Sequence, residues 1–339
     1  MDIRTSATDP LPLTDAHNRQ INYLRVAVTD RCNLRCTYCM PAEGIPLLRH
    51  ADILSFEEIL RVAAVSVGLG IRKIRITGGE PLARRGLPAL VAALAALPGL
   101  ADLSLTTNGT LLAAAAPALR GAGLRRVNVS LDTLKPDRFR AITLRGDLAD
   151  VLAGIRAAET AGLMPVKINA VIVRDVNADE VVDFARLTLD RPLEVRFIEF
   201  MPLGCGGGWS HDRLVPGEEV LAAIARTFPL EPDPSMEAAA GPSRMFRIRS
   251  AAGRIGLINP MTEHFCHLCN RLRLTPDGRL RTCLFSESSE DLRALLRSGA
   301  GDPALAECIR AAVSRKPPRH AFGQGMPTAC ATPMSRIGG

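Results

Sequence analysis

Aromatic residues make up only 4% of this 339-residue chain, with one Trp and two Tyr. That scarcity argues against a stacking platform for single-stranded nucleic acid. No apolar run approaches the roughly 18 residues needed to cross a bilayer. The N-terminus, carrying Asp2, Arg4, Asp9 and Asp15, has no apolar signal segment. The expectation is a cytoplasmic protein with neither nucleic acid nor membrane as partner. The nine cysteines are an odd number, which in a chain without a secretory signal speaks against a disulfide framework. Acidic residues are the minority, 35 against 42 Lys and Arg, for a net charge of +7. This gives a modest pull toward anions, and a phosphate-bearing small molecule suits it better than a polymer.

What is present describes a folded protein: 47% hydrophobic and 23% charged residues can build a sizeable core. From residue 21 a β-branched segment is followed repeatedly by an amphipathic one, the pattern of parallel βα units. The spacing predicts strands at 24–28, 73–77, 103–107, 126–131, 166–173 and 195–200. Helices are predicted at 56–67, 87–97, 111–121, 148–162 and 179–189, with another at 215–227. Six repeats suggest an α/β fold, an incomplete or split TIM-type barrel whose strand ends converge on one mouth. Residues 245–285 read as short hairpins, with Pro276-Asp277-Gly278 as a turn. Two further helices are predicted near 291–296 and 303–313. The expected organisation is an N-terminal extension (1–20), a partial barrel (21–230), a small α+β C-terminal module (231–325) and a tail (326–339).

Six cysteines fall in two tight groups. Cys32, Cys36 and Cys39 have C-x3-C-x2-C spacing in the loop after the first strand. Three thiolates can hold three irons of a 4Fe-4S cluster and leave the fourth iron open. S-adenosylmethionine (SAM) can chelate that iron and, on reduction, release a 5′-deoxyadenosyl radical. One βα unit later, Thr77-Gly78-Gly79-Glu80-Pro81 offers close backbone approach to a ligand and a carboxylate that could accept from the SAM ammonium.

The second group, Cys266, Cys269 and Cys283, is C-x2-C-x13-C. Spacing leaves two options open, a second 4Fe-4S cluster or a zinc site completed by His264 or His267. Arg271 and Arg273 alternate on a predicted strand and so share a face, either receiving phosphate or forming a solvated surface. Cys205, Cys308 and Cys330 have no partner at ligand spacing.

Together with Asn128-Val129-Ser130-Leu131-Asp132, Arg196-Phe197-Ile198-Glu199-Phe200-Met201, the second cysteine triad and the terminal Ile337-Gly338-Gly339, these motifs make nearly the whole chain resemble the GTP 3′,8-cyclase family of molybdenum cofactor biosynthesis. The resemblance implies two 4Fe-4S clusters and SAM as cofactors, GTP as substrate, an electron donor and a homodimer, with the next enzyme of the molybdopterin pathway as a candidate partner. It places SAM contacts at Tyr38, Gly79, Ser130 and Met201. GTP contacts fall on Arg25, Arg75, Thr106, Lys167 and the run Arg271, Leu272, Arg273. Arg271, Arg273, Gly338 and Gly339 are implied in catalysis. Arg336 departs from the family pattern, in which a bulkier apolar or aromatic residue precedes the final Ile-Gly-Gly.

Two other readings compete. One is a peptide-modifying radical-SAM protein, which would carry more C-terminal cysteines; the other is a zinc-stabilised nucleic-acid module. The tail is also ambiguous. Its prolines and glycines read as a frayed end, whereas the resemblance implies that it inserts into the barrel mouth.

Overall fold

The computed structural model describes residues 12–203, 208–233, 241–320 and 332–338. Gly339, Cys205 and Cys330 lie outside the described residues.

Six parallel strands come first: β1 (Tyr23–Ala27), β2 (Lys73–Thr77), β3 (Asp102–Thr107), β4 (Arg126–Ser130), β5 (Lys167–Ile172) and β6 (Glu194–Glu199). The intervening helices are α1 (Phe56–Gly68), α2 (Leu87–Ala95), α3 (Leu112–Gly121), α4 (Pro136–Thr143), α5 (Leu148–Thr160) and α6 (Val181–Arg186). The strands follow the expected positions to within one or two residues. α4 was not anticipated, because its mixed polar sequence Pro-Asp-Arg-Phe-Arg-Ala-Ile-Thr carries only a short apolar stripe. α6 is shorter than expected, since 178–180 forms a separate 3₁₀ turn. The entry to α1 shows how local sequence sets an element. Ser55 accepts from the backbone N–H of Glu58 and the Glu58 carboxylate accepts from that of Ser55, closing both ends of a capping box.

After α7 (Gly217–Ala225) the chain forms β7 (Leu230–Pro232), β8 (Arg244–Ile248), β9 (Arg254–Ile258), β10 (Arg271–Leu274), β11 (Arg279–Arg281) and β12 (Glu290–Asp291). The expected hairpins are present: β8 and β9 pair antiparallel, as do β10 and β11. Both continue the first sheet instead of forming a sheet of their own. β10 pairs parallel with β1 and β9 parallel with β6, in the order β12-β11-β10-β1-β2-β3-β4-β5-β6-β9-β8-β7. Cys269 and Cys283 thereby flank the β10–β11 hairpin, whose β10 is hydrogen-bonded to the strand that leads into Cys32. Helices α8 (Leu292–Arg297), α9 (Asp302–Ser314) and the short α10 (Met334–Ile337) complete the chain.

Alternation along the parallel strands divides the sheet into two faces. Leu24 and Val26, Ile74 and Ile76, Leu103 and Leu105, Val127 and Val129, Ile168 and Ala170, and Val195 and Phe197 are buried in the core shared with the helices. The intervening residues are largely polar and line a cavity. A parallel sheet covered on both faces usually reads as continuous apolar runs; here Lys-Ile-Arg-Ile-Thr and Arg-Val-Asn-Val-Ser betray the polar interior.

Candidate functional site

The Cys32–Cys39 loop is fixed by its backbone. Arg35 and Thr37 N–H donate to the carbonyls of Thr143 and Ile142, both at 2.9 Å, and Arg35 Nη1 donates to the Cys32 and Leu34 carbonyls at 2.7 and 2.8 Å. Asn108 Nδ2 donates to Asn33 at 2.9 Å and lies 3.9 Å from Cys32 Sγ. Burial raises the thiols of Cys32 and Cys36, and the neighbouring Cys39 raises Cys36 further. Metal ligation would deprotonate these thiols.

Gly78 and Gly79 meet this loop closely. A Cβ on Gly79 would lie 2.3 Å from the Arg31 carbonyl oxygen, and one on Gly78 would lie 2.6 Å from that of Thr29. The two glycines are thus required by backbone contact with the cysteine loop as well as lining the cavity. Glu80 has a different place from the one read in the sequence. It is fully buried, and its carboxylate accepts from Leu82 N–H (3.0 Å), Thr107 Oγ1 (2.8 Å) and Asn108 N–H (2.7 Å). It ties the loops after β2 and β3 together instead of facing an ammonium. Burial pushes its carboxyl up to about 7. Asp132, raised by burial to about 6, accepts from the Tyr38 hydroxyl at 2.6 Å and from Val171 N–H at 2.8 Å.

One cavity of about 380 Å³ is lined by all six clustered cysteines, by Tyr38, Gly79, Ser130 and Met201, and by Arg25, Arg75, Thr106, Lys167, Arg271 and Arg273. The register explains the convergence: Arg25 pairs with both Arg75 and Arg273 across neighbouring strands. Leu272 does not line the cavity with the two arginines. The alternation that turns the two arginines inward sends its fully buried side chain into the core, leaving backbone atoms as its means of contact. Arg273 is buried too, not part of a solvated face.

Sequence reasoning missed Lys73, Arg126, Arg196 and Tyr23, which also line the cavity. The signal was there, since each occupies the same alternating face as a residue already singled out. Arg126 pairs with Asp102, and both Lys167 (2.8 Å) and Arg196 pair with Glu194. Burial and Arg196 bring Lys167 down to about 7 despite Glu194. Burial and Arg271 bring Arg273 down to about 10. Burial is the first cause of both shifts, with a neighbouring guanidinium as the second. The buried Tyr23 Oη and Thr106 Oγ1 have no hydrogen-bond partner, which again suits a polar ligand.

At the second triad, burial would raise the Cys269 thiol, but Arg271 and Lys316 outweigh it and hold it at about 6. The tail reaches the same cavity. Ile337 is fully buried beside Leu203, and Met334 and Ser335 line the cavity. The Gly338 carbonyl accepts from Arg25 Nε (3.1 Å) and Arg273 Nη1 (2.7 Å). Arg336 donates to the Pro46 carbonyl, an anchor for the residue that departs from the family pattern. Residues 332–338 therefore insert as the resemblance implied, against the reading from composition.

Residues 26–188 match the family model of the radical SAM superfamily, and residues 193–322 match that of molybdenum cofactor synthesis C. The chain is 53% identical to the GTP 3′,8-cyclase of Moorella thermoacetica over 96% of its length and all of that protein's. It is 52% identical to the GTP 3′,8-cyclase of Geobacter sulfurreducens over 97% of its length, again covering the whole relative. Among solved structures, Streptococcus suis SuiB bound to S-adenosylmethionine is similar with a TM-score of 0.55 at 15% identity, over 87% of this chain and 67% of that one, a likeness of fold.

Proposed function

The chain belongs to the GTP 3′,8-cyclase family, and on that premise we infer that it converts GTP to 3′,8-cyclo-7,8-dihydro-GTP, the first step of molybdopterin biosynthesis. The observation that carries this reading is the meeting of two cysteine triads, a set of buried cations and the Gly338 carbonyl at one cavity. Cys32, Cys36 and Cys39 would hold one 4Fe-4S cluster, and Cys266, Cys269 and Cys283 the other. When bound, the first cluster with SAM would supply the one-electron chemistry that starts a radical reaction at the ribose, and the second would help to hold the guanine base.

The protein's own part is binding and orientation. Tyr38, Gly79, Ser130 and Met201 would hold SAM, with Asp132 fixing the Tyr38 hydroxyl. Arg25, Arg75, Lys167, Arg271 and Arg273, joined by Lys73, Arg126 and Arg196, would receive the triphosphate through charge-assisted hydrogen bonds, with Thr106 as a neutral donor. Bound phosphate would restore the full charge of Lys167. Leu272 would contribute through its backbone. Gly338 and Gly339 would shape the mouth against the substrate, with Gly338 held by Arg25 and Arg273.

No helix among the described residues is long and apolar enough to cross a membrane. A cytoplasmic location, a homodimer, an external one-electron donor and passage of product to the next pathway enzyme complete the proposal. The test is anaerobic reconstitution followed by incubation with GTP, SAM and a reductant, with mass detection of the cyclised nucleotide. Cluster-loaded protein that cleaves SAM but leaves GTP unchanged would overturn the reading.

A further inference from the structure

Lys316 follows α9 and is buried at 3% exposure. Its Nζ donates to the carbonyl of Arg271, at 3.1 Å, and to that of Thr282. These carbonyls lie two residues after Cys269 and one residue before Cys283. These two contacts seat the ammonium between the segments that carry Cys269 and Cys283, while burial lowers its pKa from the ordinary lysine value. Burying an ammonium is costly unless it meets opposite charge, and two neutral carbonyls supply only part of that compensation.

A second buried cation braces the same region but is differently compensated. Arg19 donates to the Cys266 carbonyl at 2.7 Å and to the carbonyls of Pro317 (2.7 Å) and Pro318 (3.1 Å). Its Nε pairs with the buried Asp15 carboxylate at 2.6 Å. Arg19 is therefore a brace whose charge is neutralised locally. Among the described residues no carboxylate pairs with Lys316, whose contacts are the two carbonyls.

We propose that Lys316 is an electrostatic positioning residue of the second cluster, holding a fixed positive charge beside Cys269 and Cys283 that makes this cluster easier to reduce. The inference rests on the reading that Cys266, Cys269 and Cys283 hold a 4Fe-4S cluster. The physical reason is direct: reduction adds negative charge, and a buried cation at short range stabilises the reduced form more than the oxidised one.

The test uses full-length protein in which Cys32, Cys36 and Cys39 are replaced by Ala, so that the second cluster is observed alone by iron analysis and EPR-monitored redox titration. In that background Lys316→Met is expected to retain cluster and to move the midpoint to more negative potential by about a tenfold change in the oxidised-to-reduced ratio, about 59 mV for a one-electron couple. Lys316→Arg should restore most of the shift. Arg19→Met should lower iron retention while leaving the potential of the remaining cluster in place. An unmoved potential in cluster-loaded Lys316→Met, or equal shifts in the Met and Arg variants, would overturn the inference while leaving the two-cluster reading intact. Lys316→Met that loses iron without a shift in the residual cluster would also overturn it, reducing Lys316 to a brace. Absence of any cluster signal in the parent lacking the first triad would overturn the underlying reading as well.

Discussion

Arg273 Nη1 donates to the Gly338 carbonyl at 2.7 Å, so a buried cation lying between Cys269 and Cys283 in sequence holds the penultimate residue of the chain. Gly338 adopts φ +75°, and a Cβ there would lie 2.6 Å from Thr77 Oγ1. The tail thus depends on the lack of a side chain at this position.

Replacing Gly338 by Val should displace the tail. A β-branched residue at positive φ costs on the order of 1–3 kcal/mol, and the clash with Thr77 adds to it. Both clusters and most GTP affinity should persist, while cyclisation per cluster-loaded protein falls strongly. Deleting Gly338 and Gly339 should act in the same direction. Turnover at the full-length rate in either variant would show that the inserted tail has no catalytic role.

Arg273→Ala should weaken GTP binding more than SAM binding, because a buried guanidinium facing phosphate contributes roughly 1.5–3 kcal/mol, about tenfold or more in affinity. Titration with each ligand separately checks this. Equal weakening of both would indicate general loss of the tail contact instead of a phosphate contact.

Cys36→Ala should abolish SAM cleavage. Cys269→Ala should leave some uncoupled cleavage while losing cyclisation. Iron analysis of anaerobically prepared wild-type protein should account for two 4Fe-4S clusters. One cluster with stoichiometric zinc would contradict the assignment of the second triad.

Glu80 gives the stability a pH dependence. Burial raises its carboxyl from 4.5 to about 7, so the native state binds the proton more tightly than the unfolded chain. The resulting contribution is largest near and below the unfolded value and declines as pH rises toward about 7. Its full span is on the order of 3 kcal/mol. Glu80→Gln should flatten this part of the slope, so the stability gap between wild type and variant should change between about pH 5 and pH 8 in urea unfolding. A constant gap would place the titration elsewhere.

Sequence determined much of this protein because its signals are local. Alternation in Lys73-Ile74-Arg75-Ile76-Thr77 sets a strand with a polar face, the capping box at Ser55 and Glu58 starts a helix, and the cysteine spacings announce two metal-binding groups. Tertiary structure alone decided what those groups meet. Nothing between residues 28 and 270 indicates that β10 lies parallel to β1, yet that pairing sets Arg273 opposite Arg25 and opens both triads on one cavity. Glu80 illustrates the same limit, since its adjacency to Gly79 suggested a ligand contact and only the fold showed three protein donors already holding the carboxylate. Lys316 and Arg19 carry no motif at all. Arg19 meets the Cys266 carbonyl and Lys316 those of Arg271 and Thr282, contacts that join segments tens to hundreds of residues apart, and local pattern carries no record of such distant packing.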